Sequence, residues 1–255
     1  MARIFITGST EGLGRAAAQA LLDDGHEVVL HARNQSRAAG IGALADRASG
    51  VVIGDLASAD ETHGLADQVN AIGRMDAVIH NAGIFIDPER VATPEGHART
   101  LAVNVLASYL LTVEIDRPDR LIYLSSGMHQ GAAPSLSDID WTSRRWNGVQ
   151  AYSESKLFVA ALAFALARRW RDVRANAVDP GWVPTRMGGP GATDDLELGH
   201  TTQAWLAVSD DPDATSSGGY WYHQRRQAPA PAVSDVRFQD ALLEELSRLT
   251  GVRLP

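Results

Sequence analysis

Short apolar runs alternate with helix-length segments from the third residue onward, and this alternation leaves the chain few architectures. Strands are expected at Arg3–Thr7, Glu27–Ala32, Val51–Gly54, Asp76–His80 and Leu121–Ser125. Helices are expected between them at Leu13–Asp23, Ser36–Ala48, Ser58–Ile72 and Pro94–Val113. In the third of these, Leu65, Val69 and Ile72 fall at i, i+4 and i+7, one face of a helix. The strand runs are apolar at most positions, as parallel strands covered on both faces are. Repeated strand–helix units of this kind build a doubly wound parallel sheet, so the fold class is α/β.

The second half continues the pattern. A long helix is expected from about Val149 to Arg171, then a strand at Val173–Val178. The glycine- and proline-rich stretch from Asp179 to Gly199 reads as a loop, and about 180–199 is a candidate substrate loop or lid. A helix near His200–Val208, a strand near Gly219–Tyr222, an extended connector at Ala228–Ala232 and a final amphipathic helix at about Val236–Leu249 follow. No linker divides the chain, so residues 1–255 are expected to form a single domain.

Composition narrows the function. The chain is 45% hydrophobic and 21% charged, ordinary for a globular protein. A net charge of -8 gives no attraction for nucleic acid or an anionic membrane, and neither partner is expected. With no cysteine there are no disulfides, thiolate nucleophiles or iron–sulfur clusters. The histidines are scattered, without the i, i+4 pair of a helical metal site, so no metal is expected. The longest apolar run, Leu157–Ala167, is too short to span a bilayer. Strand-like sequence begins almost at Met1, which leaves no room for a signal peptide, and a cytoplasmic location is expected.

Two motifs carry chemistry. Thr7-Gly8-Ser9-Thr10-Glu11-Gly12-Leu13-Gly14 follows the first strand and opens the first helix. Its glycines permit a tight turn and close approach to a pyrophosphate, and the helix start offers free N–H groups to phosphate. Placed on the first strand–helix junction, the turn marks a Rossmann-type dinucleotide site. The second motif is Tyr152 with Lys156, one helical turn apart on one face. A cation there, with the positive helix start, is expected to lower the phenol's pKa and make Tyr152 a general acid/base. Lys156 is the chain's only lysine. Unlike arginine, lysine has a shiftable pKa and can join a proton relay.

Turn and pair together resemble the short-chain dehydrogenase/reductase family, and the match covers nearly the whole chain. The resemblance implies further roles. Gly8, Ser9, Thr10, Glu11, Gly12, Leu13 and Gly14 are expected to hold the cofactor phosphates, and Asp55 and Leu56 to contact the adenine. Asn81, Ala82 and Gly83 resemble the segment that shapes the cofactor cleft, and Asn104 the asparagine of the lysine relay. Ser126 matches the serine that hydrogen-bonds the reacting oxygen, although strand alternation leaves Ser125 open as the active hydroxyl. Pro180, Gly181, Val183 and Thr185 resemble the segment over the nicotinamide. The catalytic set is thus Asn104, Ser126, Tyr152 and Lys156, the last two also binding cofactor.

An insert at about Gly131–Gly148, with Trp141, Arg144, Arg145 and Trp146, resembles the branch containing retinol dehydrogenases and their soluble relatives. Trp141, Trp146, Trp182 and Met187 are candidates for an apolar substrate pocket. The short interval from Asn104 to Ser126 implies a truncated helix before the fifth strand. Family members often dimerise through that helix, so a homo-oligomer is in doubt. The second strand ends in Ala32-Arg33, where NAD-preferring relatives carry an acidic residue in place of Ala32. A guanidinium at Arg33 suits a 2′-phosphate, so NADP(H) is favoured over NAD(H). The expected function is NADP(H)-dependent hydride transfer between nicotinamide and a small alcohol or carbonyl substrate. The alternative is an inactive dinucleotide-binding sensor or scaffold. A sugar-nucleotide epimerase would share the tyrosine–lysine pair, but this chain lacks its usual glycine spacing and added domain.

Overall fold

The computed structural model describes residues 1–255. Its strands are β1 (Arg3–Ile6), β2 (Glu27–Ala32), β3 (Gly50–Ile53), β4 (Ala77–His80), β5 (Arg120–Leu124), β6 (Arg174–Asp179), β7 (Tyr220–Tyr222) and β8 (Arg225–Gln227). They form one eight-stranded sheet in the order β3-β2-β1-β4-β5-β6-β7-β8. All pairings are parallel except the last, a β7–β8 hairpin. The order reverses between β1 and β4. At such a switch point the connections leave to opposite faces, and a crevice opens at the carboxyl ends of the strands.

Ten helical segments cover the sheet: α1 (Gly12–Asp23), α2 (Gln35–Ala39), α3 (Ala43–Arg47), α4 (Ala59–Ile72), α5 (Arg99–Leu101), α6 (Ala107–Glu114), α7 (Gly148–Arg169), α8 (Leu196–Val208), α9 (Pro231–Ser234) and α10 (Val236–Thr250). Alternate strand residues feed two separate cores. Phe5, Val29, Val78 and Leu121 pack under α4, α6, α7 and α10. Ile4, Ile6, Val28, Leu30 and Ile79 pack under α1 and α8. This period of two, buried on both sides, is the physical reason the strand runs are continuously apolar.

Several expected boundaries shift. The helix expected at Ser36–Ala48 is split into α2 and α3, because Gly42 adopts φ +66°. The helix expected from Pro94 begins at Arg99, after a turn in which Gly96 has φ +89°. Between α5 and α6 one π-helical turn, Ala102–Leu106, carries Asn104. α8 starts at Leu196, four residues before the expected His200, where the Asp195 carboxylate accepts from the N–H groups of Glu197 and Leu198. α9 begins inside the connector expected to be extended and runs past it, with proline in its first turn. β8 was not anticipated: its residues, Arg-Arg-Gln, are exposed and show no apolar alternation.

The helical run before β5 is continuous through α5, the π-helical turn and α6, and the C-terminal segment covers it. Tyr109 on α6 donates its hydroxyl to the Val252 carbonyl at 2.9 Å and accepts from the Leu254 N–H at 3.1 Å. Phe238 on α10 meets Phe158 on α7, with ring centroids 6.2 Å apart. No helix is long and apolar enough to cross a membrane.

Candidate active site

A groove of about 480 Å³ runs along the carboxyl ends of the central strands. At one end lies the glycine-rich turn. Gly8 has φ +65° and Gly12 φ +56°, left-handed conformations that favour glycine. Gly14 is a packing glycine: a Cβ there would come within 2.4 Å of Asn81 Nδ2 and 2.6 Å of the Gly8 carbonyl. Gly8, Thr10, Glu11, Gly12 and Leu13 line the groove, as do Asn81, Ala82, Gly83, Asp55 and Leu56. Asn81 ties β4 to the turn, donating Nδ2–H to the Thr7 carbonyl at 2.9 Å. The backbone at Gly8 and Gly12 is bare enough for a pyrophosphate to approach, so the turn fits a dinucleotide.

Ser9 is not on the groove. It is fully buried, where its hydroxyl accepts from the His31 N–H at 2.8 Å and donates to the Ile6 carbonyl at 3.0 Å. The sequence reading overlooked His31. Its Nδ1 accepts from the Gly8 N–H at 2.9 Å, and the opposite Nε2–H donates to the Gly54 carbonyl at 2.8 Å. One neutral imidazole thus joins the ends of β1, β2 and β3, and burial holds its pKa below the ordinary histidine value. The available signal was a histidine amid an apolar strand.

Around the turn stand three guanidiniums. Arg33 is exposed and lines the groove. Arg37, on α2, lines it too and pairs with Glu11 at 2.5 Å. Arg186 lies 3.8 Å from the same carboxylate. Arg37 follows Arg33 by four residues, but its pairing across the turn was not readable from spacing.

At the other end, Tyr152 and Lys156 lie on the first turns of α7, whose start is capped by Asn147 accepting from the Gln150 N–H. Both side chains are nearly buried, and both line the groove. Lys156 Nζ donates to the Leu124 carbonyl at 2.9 Å and lies 5.6 Å from the centre of the Tyr152 ring. The expected lowering of the phenol's pKa is not found. Burial pushes Tyr152 up to about 12, with the Asp179 carboxylate adding to the rise and the Ser126 hydroxyl acting against it. Burial likewise pulls Lys156 down to about 8, opposed by Asp179. Desolvation of the charged forms dominates both shifts because little water reaches either group.

The two serines separate. Ser125 lines the groove, but its hydroxyl donates to the Lys156 carbonyl at 2.9 Å and so anchors α7. The Ser126 side chain accepts from the Met128 N–H at 3.3 Å at the start of the one-turn 3-10 helix Gly127–Gly131; the residue lies outside the groove lining, near enough to Tyr152 to oppose the rise in the phenol's pKa. Asn104 is buried beneath this centre. Its Oδ1 accepts from the Ile84 N–H at 2.8 Å, and its Nδ2 donates to the Ile84 carbonyl at 3.1 Å and the Ser155 hydroxyl at 2.9 Å. Gly83 leaves room there, since a Cβ would stand 3.3 Å from Lys156 Nζ and 3.4 Å from Asn104 Oδ1.

Pro180 and Thr185 line the groove beside Arg186 and Met187, whereas Gly181 and Val183 do not. Gly181 turns with φ +81° against Asp194, and Val183 is buried. Phe85, unremarked in the sequence, meets the Tyr152 ring edge-on at 4.9 Å. Trp141 and Trp146 are correctly placed in the insert but pack on each other, ring centroids 5.4 Å apart, and do not line the groove. Trp182 is exposed, its Nε1–H donating to the Gly188 carbonyl. Among the four apolar candidates, Met187 alone reaches the groove wall.

A family model described as Enoyl-(Acyl carrier protein) reductase matches residues 8–213. The chain belongs to the short-chain dehydrogenase/reductase family. It is 40% identical over 259 residues to short-chain dehydrogenase chry4 of Gibberella zeae, covering 100% of this chain and 99% of that protein. It is 28% identical to human retinol dehydrogenase 13, over 99% of this chain and 85% of the relative, in line with the branch resemblance. A crystal structure of an uncharacterised Mycobacterium paratuberculosis protein superposes with a TM-score of 0.84 at 26% identity, covering 100% and 95% of the two chains. These similarities make the protein an NAD(P)-dependent dehydrogenase/reductase.

Proposed function

We propose that the protein interconverts an alcohol and a carbonyl compound with NADP(H), using Tyr152 as general acid/base. The observation that carries this reading is convergence: Tyr152 and Lys156 stand at one end of a groove whose other end is the glycine-rich turn, with Ser126 close enough to Tyr152 to act on its phenol. In this reading the Gly8–Leu13 backbone holds the cofactor pyrophosphate, Asp55 and Leu56 the adenine, and Pro180 and Thr185 the nicotinamide side. The bound nicotinamide supplies or takes up the hydride. Ser126 orients the substrate oxygen by hydrogen bonding. Tyr152 gives that oxygen a proton in reduction and removes one in oxidation. Lys156 binds ribose and leads the proton onward, and Asn104 holds the backbone around it. A phenol held near 12 remains protonated at neutral pH, the form that donates to a carbonyl oxygen.

The test is a panel of aldehydes, ketones and alcohols, followed by nicotinamide absorbance with each cofactor. Oxidation of NADPH by carbonyl compounds is expected. Tight cofactor binding with no turnover of any substrate would instead favour the sensor or scaffold.

Cofactor preference rests on Arg33, joined by Arg37. Glu11 would repel a 2′-phosphate, but its charge is matched by Arg37 and Arg186. Arg33→Ala is expected to raise the KM for NADPH at least roughly 10-fold while changing that for NADH little, since a charge-assisted hydrogen bond is worth about 1.5–3 kcal/mol. Equal changes for both cofactors would contradict the assignment.

The protein is further proposed to be a monomer, because α10 and the tail cover the α6–α7 face within the same chain. Size-exclusion chromatography with light scattering should give a mass near 27.3 kDa; a stable dimer mass would refute it.

A further inference from the structure

The segment Ser125-Ser126-Gly127-Met128-His129 leaves β5 and places a histidine three residues beyond Ser126, on the 3-10 turn Gly127–Gly131. His129 is fully buried. Its Nδ1 lies 2.8 Å from the Ser126 carbonyl oxygen, and its Nε2 lies 3.0 Å from the Ala230 nitrogen. A backbone carbonyl can only accept, and a backbone N–H can only donate. Together the two partners admit one form of the ring: neutral, with its proton on Nδ1 and a free lone pair on Nε2. His31 has the opposite arrangement, accepting at Nδ1 from Gly8 and donating from Nε2 to Gly54. Tyr220 of β7 covers the His129 ring, with centroids 4.6 Å apart and its hydroxyl 3.2 Å from Nδ1.

The Ser126 carbonyl also accepts from the His129 backbone N–H at 3.0 Å, and the Ser126 side chain accepts from the Met128 N–H at 3.3 Å. The turn thus holds both the backbone and the side chain of Ser126. The ring ties that turn to the connector before α9, where Gln130 adds a second tie by donating to the Ala228 carbonyl at 3.1 Å. We infer that, given the role proposed above for Ser126, His129 is a positioning residue: its Nδ1–H fixes the serine backbone while its Nε2 docks the Ala228–Ala230 connector, and only the neutral ring can do both. A second proton on the ring would set an Nε2–H against the Ala230 N–H, donor to donor. The ring must then leave its site and take the Nδ1–H away from Ser126. Burial pulls the His129 pKa below the ordinary histidine value, so the clamp is present at neutral pH and lost as pH falls through that lowered value. The ionisable neighbours are Tyr220 on β7, Tyr152 and Lys156 on α7, which packs along the turn, and Asp179 at the end of β6. The Asp179 carboxylate stands beside Gly127, where a Cβ would lie 3.1 Å from its Oδ2, and it opposes the lowering.

The proton on the ring can be observed without turnover. In protein labelled with 15N-histidine, the His129 signals are those missing from His129→Asn among eight histidines. They are expected to show the neutral Nδ1–H tautomer at neutral pH, with a midpoint below the ordinary value of about 6.5. His129→Phe keeps a ring against Tyr220 and loses both ring hydrogen bonds. Its kcat for carbonyl reduction is expected to fall roughly 10- to 100-fold, the scale on which a small displacement of a reacting group acts, with the KM for cofactor within a few-fold of the parent. His129→Asn offers a neutral side-chain N–H in place of Nδ1–H. It should keep most of the parental kcat and lose the part of the acid limb that His129 causes. An Nε2–H tautomer would overturn the inference, and so would a midpoint at or above the ordinary value. Equal loss of kcat in His129→Phe and His129→Asn would also overturn it, as would unchanged kcat in folded His129→Phe. If His129→Phe does not fold, the spectrum and the His129→Asn pH profile decide. A parent protein that reduces no carbonyl compound defeats the oxidoreductase reading, whereas the tautomer and midpoint support or defeat the His129 clamp separately.

Discussion

Tyr152→Phe is expected to lower kcat by about 10²–10⁴-fold, the usual contribution of a positioned general acid or base. The substitution removes one oxygen and leaves the ring in contact with Phe85. Lys156 keeps its hydrogen bond to the Leu124 carbonyl, and Ser126 keeps the Met128 N–H. Cofactor affinity should therefore stay within a few-fold of the parent, and thermal stability should hardly change. The pH dependence separates the two directions. With the phenol pushed up to about 12, reduction should run at neutral pH with Tyr152 protonated, while oxidation, which needs the phenolate, should climb through the alkaline range. Steady-state kinetics in both directions, with cofactor fluorescence titration as the binding control, checks all of this. A folded variant retaining kcat within a few-fold of the parent would remove Tyr152 from the proton-transfer role.

Arg144→Met is expected to destabilise the protein by about 3 kcal/mol, the cost of stranding one member of a buried ion pair. Glu154 is 1% exposed on α7 between Tyr152 and Lys156, and Arg144 Nη1 donates to its Oε1 at 2.9 Å. The guanidinium also stacks over Trp141 at 3.5 Å and donates to the Asp138 carbonyl at 3.1 Å. Gln150 Nε2 is the other donor to Glu154, at 3.2 Å, and one neutral amide does not balance a buried carboxylate. For a chain of this size the loss corresponds to a fall in Tm of roughly 6–12 °C. The double variant Arg144→Met/Glu154→Gln should recover much of it, because both charges are then gone. Thermal unfolding of the parent, both single variants and the double variant completes the cycle. Additive losses would mean that the pair is not coupled and that the insert is not clamped to α7 through it.

The doubly wound sheet was legible because its signals are local. An apolar strand run, a glycine turn and a capped helix are each set by residues close in sequence, and their repetition leaves one economical way to bury every apolar face. The Tyr152–Lys156 pair was legible for the same reason, since i, i+4 side chains share a helix face wherever the helix goes. The positions of Asp55, Asn81, Gly83 and Thr185 on the groove were implied by the family resemblance, and each follows the end of a strand. β8 and the π-helical turn at Asn104 were not legible. Exposed Arg225–Gln227 pairs only because β7 lies beside it, and a single wide turn leaves no periodic mark.

Within the site, the chain by itself determined which residue types reach the carboxyl edge of the sheet, because strand ends and helix starts put them there. Tertiary structure decided what those residues are. Strand alternation left Ser125 open beside Ser126, and the packing of α7 against β5 ties the Ser125 hydroxyl to the Lys156 carbonyl. Glu11 is a lone carboxylate in the glycine-rich turn until α2 folds across it and brings Arg37 to pair with it. The direction of the Tyr152 pKa was misread from spacing, because proximity of Lys156 is local but burial is not. Desolvation depends on every element packed around the phenol.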